Sequence, residues 1–330
     1  MITLGIESTA HTFGIGLVTD RGKILANVKG SYSSLNAGMI PDQVAEHHQL
    51  VKGEILKQAL REAKIDLTDV DYLAYSSGPG IDPCLWVGYN FAKELSEKIK
   101  KPLIAVNHCA AHLSIGKLYN QLKDPVYLYV SGVNTQIIIE KTADRKSHYV
   151  VLGETLDIGL GNMLDKLGRI MGLGFPAGPG IEELAKGGKY LELPYVVKGM
   201  DASFSGILTK AQQLYERKQA TKEDLCFSVQ ETCFAMITEV AERALAHTGK
   251  TELVLIGGVG ANQRFCEMLQ IMCKERKAEF YNVPIGLAGD QGAMIAWEGF
   301  LRKGQYGDGQ YDDRQYGEGG VKPHWRVDEV

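Results

Sequence analysis

No apolar run in this 330-residue chain reaches the roughly 18 residues that a membrane-spanning helix needs. Mean hydropathy is −0.12, which agrees with a chain that no membrane holds. Positive charge is not in excess either. The 36 Lys and Arg face 40 Asp and Glu, for a net charge of −4. A protein that grips nucleic acid alone carries a basic surface, so this one has at most a local basic patch or borrows charge from a partner. Met1–Gly5 lacks the basic start of a secretory signal. The six cysteines include no CxxC pair. Cys226/Cys233 and Cys266/Cys273 lie seven apart in helix-like segments, so each pair shares a helix face. They read as reduced core thiols, and a reducing cytoplasm is expected. A GxxxxGK[ST] loop is missing, and no GxGxxG follows the first strand, which argues against P-loop and Rossmann nucleotide sites.

What is present is globular material. Apolar residues are 45% and charged residues 23%, enough for a sizeable core, and the length suits two domains of roughly 100–200 residues each. Three short apolar runs, Ile2–Ile6, Phe13–Val18 and Ile24–Val28, read as strands joined by hairpins. Leu50, Val51, Ile55, Leu56, Ala59, Leu60 and Ala63 then recur at helical spacing. A strand at Tyr72–Tyr75, a helix at Leu85–Ile99 and a strand at Leu103–Val106 complete the first pattern.

The same order restarts at Tyr127. Tyr127–Val130, Thr135–Ile139 and Val150–Leu152 read as strands, Glu223–His247 as a long helix, Leu253–Ile256 as a strand, Asn262–Glu275 as a helix and Glu279–Tyr281 as a strand. A duplicated unit predicts two similar α/β domains facing a cleft. The expected organisation is a first domain over 1–124 and a second over 125–289 carrying an inserted helical segment at 156–222. A C-terminal helix at 290–303 is expected to pack back on the first domain. A mobile Gly/Gln/Tyr tract and a docking tail containing His324, Trp325 and Arg326 fill 304–330.

The sharpest chemical feature is Asn107-His108-Cys109-Ala110-Ala111-His112, a strand end that starts a helix. Residues four apart on a helix leave one face, so both imidazoles reach one metal. The pair reads either as metal ligands or as an ordinary helix pair, and Cys109 stands where a metalloprotease has its Glu. Asp290, in the loop before the last long helix, is the best distant third ligand; the competing reading is a helix cap. Ser131-Gly132-Val133-Asn134, its counterpart Glu7-Ser8-Thr9-Ala10-His11, and Gly257–Asn262 are turns after strands. Backbone N–H groups in such turns bind phosphates, so three of them in a duplicated frame point to a nucleotide. Asp165 and Glu182 sit beside glycines and read either as solvated helix carboxylates or as acceptors for sugar hydroxyls. Glu46-His47-His48 reads as structural.

Together these motifs resemble the tRNA N6-threonylcarbamoyladenosine transferase family, in particular its archaeal/eukaryotic branch, the catalytic subunit of the KEOPS complex. The resemblance covers essentially the whole chain. It rests on Asn107-His108-Cys109 with His112, Gly153–Ile158, Leu193–Asp201, Ser203-Phe204-Ser205-Gly206 and Gly292–Ala296. It implies an actin/Hsp70/sugar-kinase-like fold of two RNase-H-like domains. It implies transfer of threonylcarbamoyl from its adenylate to N6 of the adenosine 3′ of the tRNA anticodon, with ATP or threonylcarbamoyl-AMP as the bound nucleotide. By matching positions, His108, His112, Asp290 and Tyr129 hold one iron or zinc. Tyr129, Val130, Ser131, Gly132 and Val133 line the substrate, and Asp165, Gly178, Glu182 and Asn262 hold the nucleotide. The implied partners are tRNA, a small dimerising subunit, an atypical protein kinase and a regulatory subunit. The alternatives are a small-molecule kinase of the same fold and an activity-impaired nucleotide-binding scaffold.

Four positions depart from the family pattern: Asp42, Trp86, Val133 and Gln291. The first two lack a positive charge and are expected to weaken contact with tRNA phosphates. Val133 replaces a glycine, so either the turn keeps a negative φ or it has shifted; both predict weaker nucleotide binding than glycine gives.

Overall fold

A computed structural model describes residues 1–33, 40–143, 146–303 and 320–330. The Gly/Gln/Tyr tract expected after 303 lies outside the described residues as far as 319. The chain forms two compact units, Met1–Leu118 with Asp290–Val330, and Tyr119–Gly289.

In the first unit the elements follow as β1 (Ile2–Glu7), β2 (Thr12–Thr19), β3 (Ile24–Ser31), α1 (Pro41–Ala63), β4 (Tyr72–Gly78), α2 (Asp82–Ile99), β5 (Leu103–Asn107) and α3 (His108–Asn120). The sheet order is β3-β2-β1-β4-β5; the first three strands are antiparallel, and β4 and β5 run parallel to β1. Successive strand side chains face opposite ways. Leu73, Tyr75, Leu103 and Ala105 accordingly join a core under α1 and α2, whereas Ala74, Ile104 and Val106 join one under α3. The helix α1 begins nine residues before the first periodic apolar residue, with Pro41 in its first turn. Only Val44 and His48 of that early stretch are buried, too few to show a helical period.

The second unit contains β6 (Val126–Val130), β7 (Thr135–Ala143), β8 (Lys146–Glu154), α4 (Leu160–Ile170), α5 (Gly178–Ala185), β9 (Val197–Lys198), β10 (Asp201–Ala202), α6 (Ser205–Glu216), α7 (Lys222–Thr248), β11 (Glu252–Ile256), α8 (Gln263–Glu275), β12 (Glu279–Asn282) and α9 (Ile285–Ala288). Its sheet order β8-β7-β6-β11-β12 repeats that of the first, strand for strand. The duplication read from the apolar runs is therefore real. The core of this unit includes α7 and α8, with Phe234 stacked on Phe265 at 4.5 Å. All six cysteines are free, and the pairs Cys226/Cys233 and Cys266/Cys273 lie on α7 and α8.

The last α-helix among the described residues, α10 (Gly292–Arg302), lies on the sheet of the first unit, against β1, β2 and β4. Missing side chains permit this. A Cβ on Gly5 would stand 2.2 Å from the Ala296 nitrogen, and one on Gly16 2.1 Å from that of Ala293. These glycines bring the start of α10, and Asp290 just before it, down onto the sheet.

Candidate metal centre

The carboxyl ends of parallel strands are where open α/β sheets bind ligands. Glu7 ends β1, and Asn107 ends β5 with His108 opening α3 directly after it. His112 follows one turn later, and the two imidazole centroids are 4.7 Å apart. Asp290 Oδ1 lies 3.5 Å from Nε2 of His108 and 3.4 Å from Nε2 of His112. One ligand atom from each of the three residues falls within 4.8 Å of the others. The carboxylate of Asp290 is free for this because Gln291 takes the capping role, its side chain accepting the Met294 N–H at 3.1 Å.

Glu7 was not singled out by its sequence context, where it reads as the start of a turn. It is fully buried. Its Oε1 accepts the Thr9 N–H at 2.7 Å and the Thr9 hydroxyl at 2.5 Å, and its Oε2 lies 3.0 Å from Nδ1 of His108. These bonds offset the cost of burying a carboxylate. The arrangement also turns Nε2 of His108 towards Asp290, the role that an outer carboxylate plays for a ligating histidine. The only signal for it in the sequence is a carboxylate closing an otherwise apolar strand.

The electrostatics match. Burial alone lowers the pKa of His108, but the charge and hydrogen bond of Glu7, with Asp290, raise it to about 9. Burial, with the charge of His108, pushes that of His112 down against the hydrogen bond that Asp290 accepts from it. Burial would raise that of Asp290, yet the His112 hydrogen bond and the charge of His108 hold it well below the usual carboxylate range. Two imidazoles beside the buried carboxylate of Glu7 and the half-buried one of Asp290 favour a cation at their centre. Two nitrogens and a carboxylate oxygen suit zinc or iron.

The other expected site residues lie in the second unit. Tyr129 is buried in β6. In the β6–β7 turn the Ser131 N–H donates to the Asn134 carbonyl at 2.8 Å, and the N–H groups of Gly161 and Asn162 donate to the carbonyls of Ser131 and Gly132 at 3.1 and 2.8 Å. The start of α4 thus rests on this turn, next to Val130. Val133 is 69% exposed and is absent from the positive-φ residues, so the turn keeps an ordinary backbone. Asp165 Oδ1 accepts the Ala177 N–H at 2.8 Å beside Gly178, Glu182 Oε1 accepts the Gln263 N–H at 2.8 Å, and Asn262 caps α8 through the Phe265 N–H at 3.0 Å. The first two of these bonds tie α4 to the start of α5 and α5 to the start of α8, the elements that carry these residues. Asp42 lies in the first turn of α1, and Trp86 packs edge-on against Tyr89 at 5.7 Å. His48 is fully buried against Phe13, consistent with a structural role, and burial first, then His47 and His11, bring its pKa down to about 4.

The family model described as TsaD, tRNA N6-adenosine threonylcarbamoyltransferase, matches residues 23–297. A tRNA N6-adenosine threonylcarbamoyltransferase of Thermococcus sibiricus is 52% identical over 300 residues, 91% of each chain. A probable bifunctional tRNA threonylcarbamoyladenosine biosynthesis protein of Methanocaldococcus jannaschii is 48% identical over 302 residues, 91% of this chain and 55% of that one. Among solved structures, component A of the (R)-2-hydroxyglutaryl-CoA dehydratase of Acidaminococcus fermentans superposes with a TM-score of 0.55 at 13% identity, covering 92% of this chain and 99% of that one. That likeness supports the actin/Hsp70/sugar-kinase-like fold.

Proposed function

The chain belongs to the tRNA N6-adenosine threonylcarbamoyltransferase family, and we propose that its His108–His112–Asp290 cluster is the metal centre of that acyl transfer. The enzyme makes threonylcarbamoyladenosine in tRNA: N6 of the adenosine bonds to the carbamoyl carbon of threonylcarbamoyl-AMP, the bond to the phosphate breaks, and AMP and a proton leave. The kinase and impaired-scaffold alternatives have no comparable support.

The observation that carries the metal reading is Glu7 against Nδ1 of His108 at 3.0 Å, which presents Nε2 to Asp290. Iron or zinc bound there supplies Lewis acidity towards carbonyl or phosphate oxygens. Thr9 and Glu7 hold the His108 ring, and Asp290 draws both Nε2 atoms to one point. Asp165 and Glu182 each use one oxygen on a backbone N–H. A carboxylate has further acceptor capacity, so each can take a nucleotide hydroxyl as well. The substrate nucleotide is ATP or threonylcarbamoyl-AMP, beside Gly178, Asn262 and the Tyr129–Val133 segment. The net charge of −4 favours a tRNA grip shared with partners. The extra length of the bifunctional relative also fits a chain that works beside another one. The partners we propose are a small dimerising subunit, an atypical protein kinase and a regulatory subunit.

Mass spectrometry of tRNA nucleosides tests the function, after incubation with ATP, threonine, bicarbonate, an adenylate-forming enzyme and those partners. The modified nucleoside should appear with the wild-type chain and fall to background with His112→Ala. Equal product from both removes His112 from the mechanism, and no product from the complete wild-type mixture overturns the activity.

A further inference from the structure

Asn107 stands between the metal centre and the C-terminal tail. Its side chain is fully buried. Its Oδ1 accepts the Ala110 N–H at 3.0 Å, satisfying one of the donors that the first turn of α3 leaves unpaired. Its Nδ2 donates to the carbonyls of Trp325 and Arg326 at 3.1 and 3.3 Å. Both ends of one amide are thus in use: one fixes the helix that begins at His108, and the other grips the tail.

The tail is seated by more than this contact. The Gly320 carbonyl accepts the hydroxyls of Tyr75 at 2.6 Å and Ser77 at 2.9 Å. The Lys322 N–H donates to the Ser77 carbonyl at 2.7 Å, and the Gly80 N–H to that of Pro323 at 3.1 Å. Trp325 and Val327 are buried, and the Lys322 ammonium sits 4.6 Å from the centre of the Trp325 ring. The β4–α2 loop is shaped for this passage. A Cβ on Gly78 would lie 1.8 Å from the Lys322 carbonyl oxygen. The other side of the loop meets Thr9: a Cβ on Gly80 would lie 2.7 Å from the Thr9 carbonyl oxygen, and the Ile81 N–H donates to that oxygen at 2.7 Å. The Thr9 hydroxyl is 3.2 Å from Nδ1 of His108. Two routes therefore run from the tail to the same imidazole, through Asn107 and through the loop to Thr9.

We infer that the tail, acting through Asn107, is a positioning element for the metal centre, so that the centre reaches full affinity only with the tail docked. Without the tail the Asn107 amide loses both acceptors of its N–H groups, and the side chain no longer has a fixed rotamer from which to cap α3. The inference rests on the reading of His108, His112 and Asp290 as metal ligands.

The test is Zn²⁺ affinity, measured by competition with a chromophoric chelator. It uses the full chain, a chain ending at Gly319, Asn107→Asp, and the two changes combined. Asn107→Asp keeps an oxygen for the Ala110 N–H but sets a second oxygen against the two tail carbonyls, so it breaks the link between the tail and Asn107 while sparing the cap. Outer partners of metal ligands are worth roughly 10–100-fold in affinity. Truncation should cost about tenfold, Asn107→Asp should cost the same, and the combination should cost no more than either. The Co²⁺ absorption spectrum, which reports ligand geometry, should change alike in all three. Truncated and Asn107→Asp chains that bind Zn²⁺ as the full chain does overturn the inference, and so do effects that multiply in the combination. If the truncated chain does not fold, Asn107→Asp in the full chain decides alone. A full wild-type chain that binds no Zn²⁺ sinks the metal reading itself, a different outcome.

Discussion

Glu7 decides which ring nitrogen of His108 keeps its proton when the other ligates a metal. Its Oε2 is 3.0 Å from Nδ1, while its Oε1 is committed to the N–H and hydroxyl of Thr9. A carboxylate only accepts, so Nδ1 must donate, and Nε2, which faces the Asp290 carboxylate at 3.5 Å, is the nitrogen whose proton a metal would replace.

Glu7→Gln tests this with almost no change in shape. Thr9 offers two donors, so the amide oxygen takes the Oε1 place and the NH2 group turns to His108. The NH2 donates, which forces Nδ1 to accept and moves the ring proton to Nε2. Metal affinity should fall by roughly 10–100-fold with the fold intact. Chelator competition checks the affinity, and imidazole 15N shifts check the tautomer. An unchanged affinity means that Glu7 does not set the ring.

Gly16→Ala should damage the same centre from a distance. The new Cβ would stand 2.1 Å from the Ala293 backbone nitrogen, which has no flexible end to move aside. Forcing α10 off the sheet should cost about 1–3 kcal/mol, as overpacking does. Asp290 precedes α10, so it moves too. A lower melting temperature together with weaker metal binding is expected. A stable variant with normal metal affinity would show that the position of Asp290 does not depend on this contact.

The strands were legible because their burial is one-dimensional: Ile2–Ile6 and Tyr127–Val130 are apolar runs whatever surrounds them. The helix face of His108 and His112 was legible for the same reason, since four residues is one turn. Asp290 was open between ligand and cap until Gln291 was seen to cap α10. A docking tail was expected, but the role of Glu7 and the contacts that seat the tail were not legible. Both rest on contacts between residues about a hundred or more apart, and the tail is held largely by backbone carbonyls, which leave no mark on side-chain patterns. The same holds for α4, whose first N–H groups bond to the carbonyls of Ser131 and Gly132.

Asp157 gives a pH-dependent stability term. Its Oδ1 accepts the N–H groups of Ile158 and Phe204 at 2.7 and 2.9 Å, and its Oδ2 those of Ser205, backbone at 3.0 Å and hydroxyl at 2.5 Å. Burial opposes the charge, but these donors, led by the Phe204 N–H, hold the pKa below the ordinary 3.8. A depressed carboxylate contributes stability that is fully present above the unfolded value and is lost as pH falls through the folded one. The group is mostly exposed, so solvent screening keeps the contribution to about 1 kcal/mol, typical of a helix cap. Asp157→Asn should therefore melt below wild type at neutral pH, and the gap should close as pH falls below 3.8. A gap that stays constant to low pH would mean that the charge contributes nothing.

The last prediction concerns Val133. A glycine at this position could have been needed for positive φ, which a β-branched residue strongly disfavours. The turn keeps an ordinary φ at Val133, and its hydrogen bonds from Ser131, Gly161 and Asn162 are made with valine in place. Any loss of nucleotide affinity therefore comes from the bulk of the isopropyl group on this exposed residue, the last of the proposed substrate segment. Removing that bulk should raise affinity for ATP by less than the value of one hydrogen bond, below about 1 kcal/mol. Because no backbone change is required, Val133→Ala should gain nearly as much as Val133→Gly. The two differ in stability: glycine adds freedom to the unfolded chain and should cost about 0.4–1 kcal/mol relative to alanine. Titration calorimetry and thermal melting of the pair separate these effects. A gain in affinity with glycine alone would mean that the turn adopts positive φ when nucleotide binds, and no gain with either would make Val133 neutral for binding.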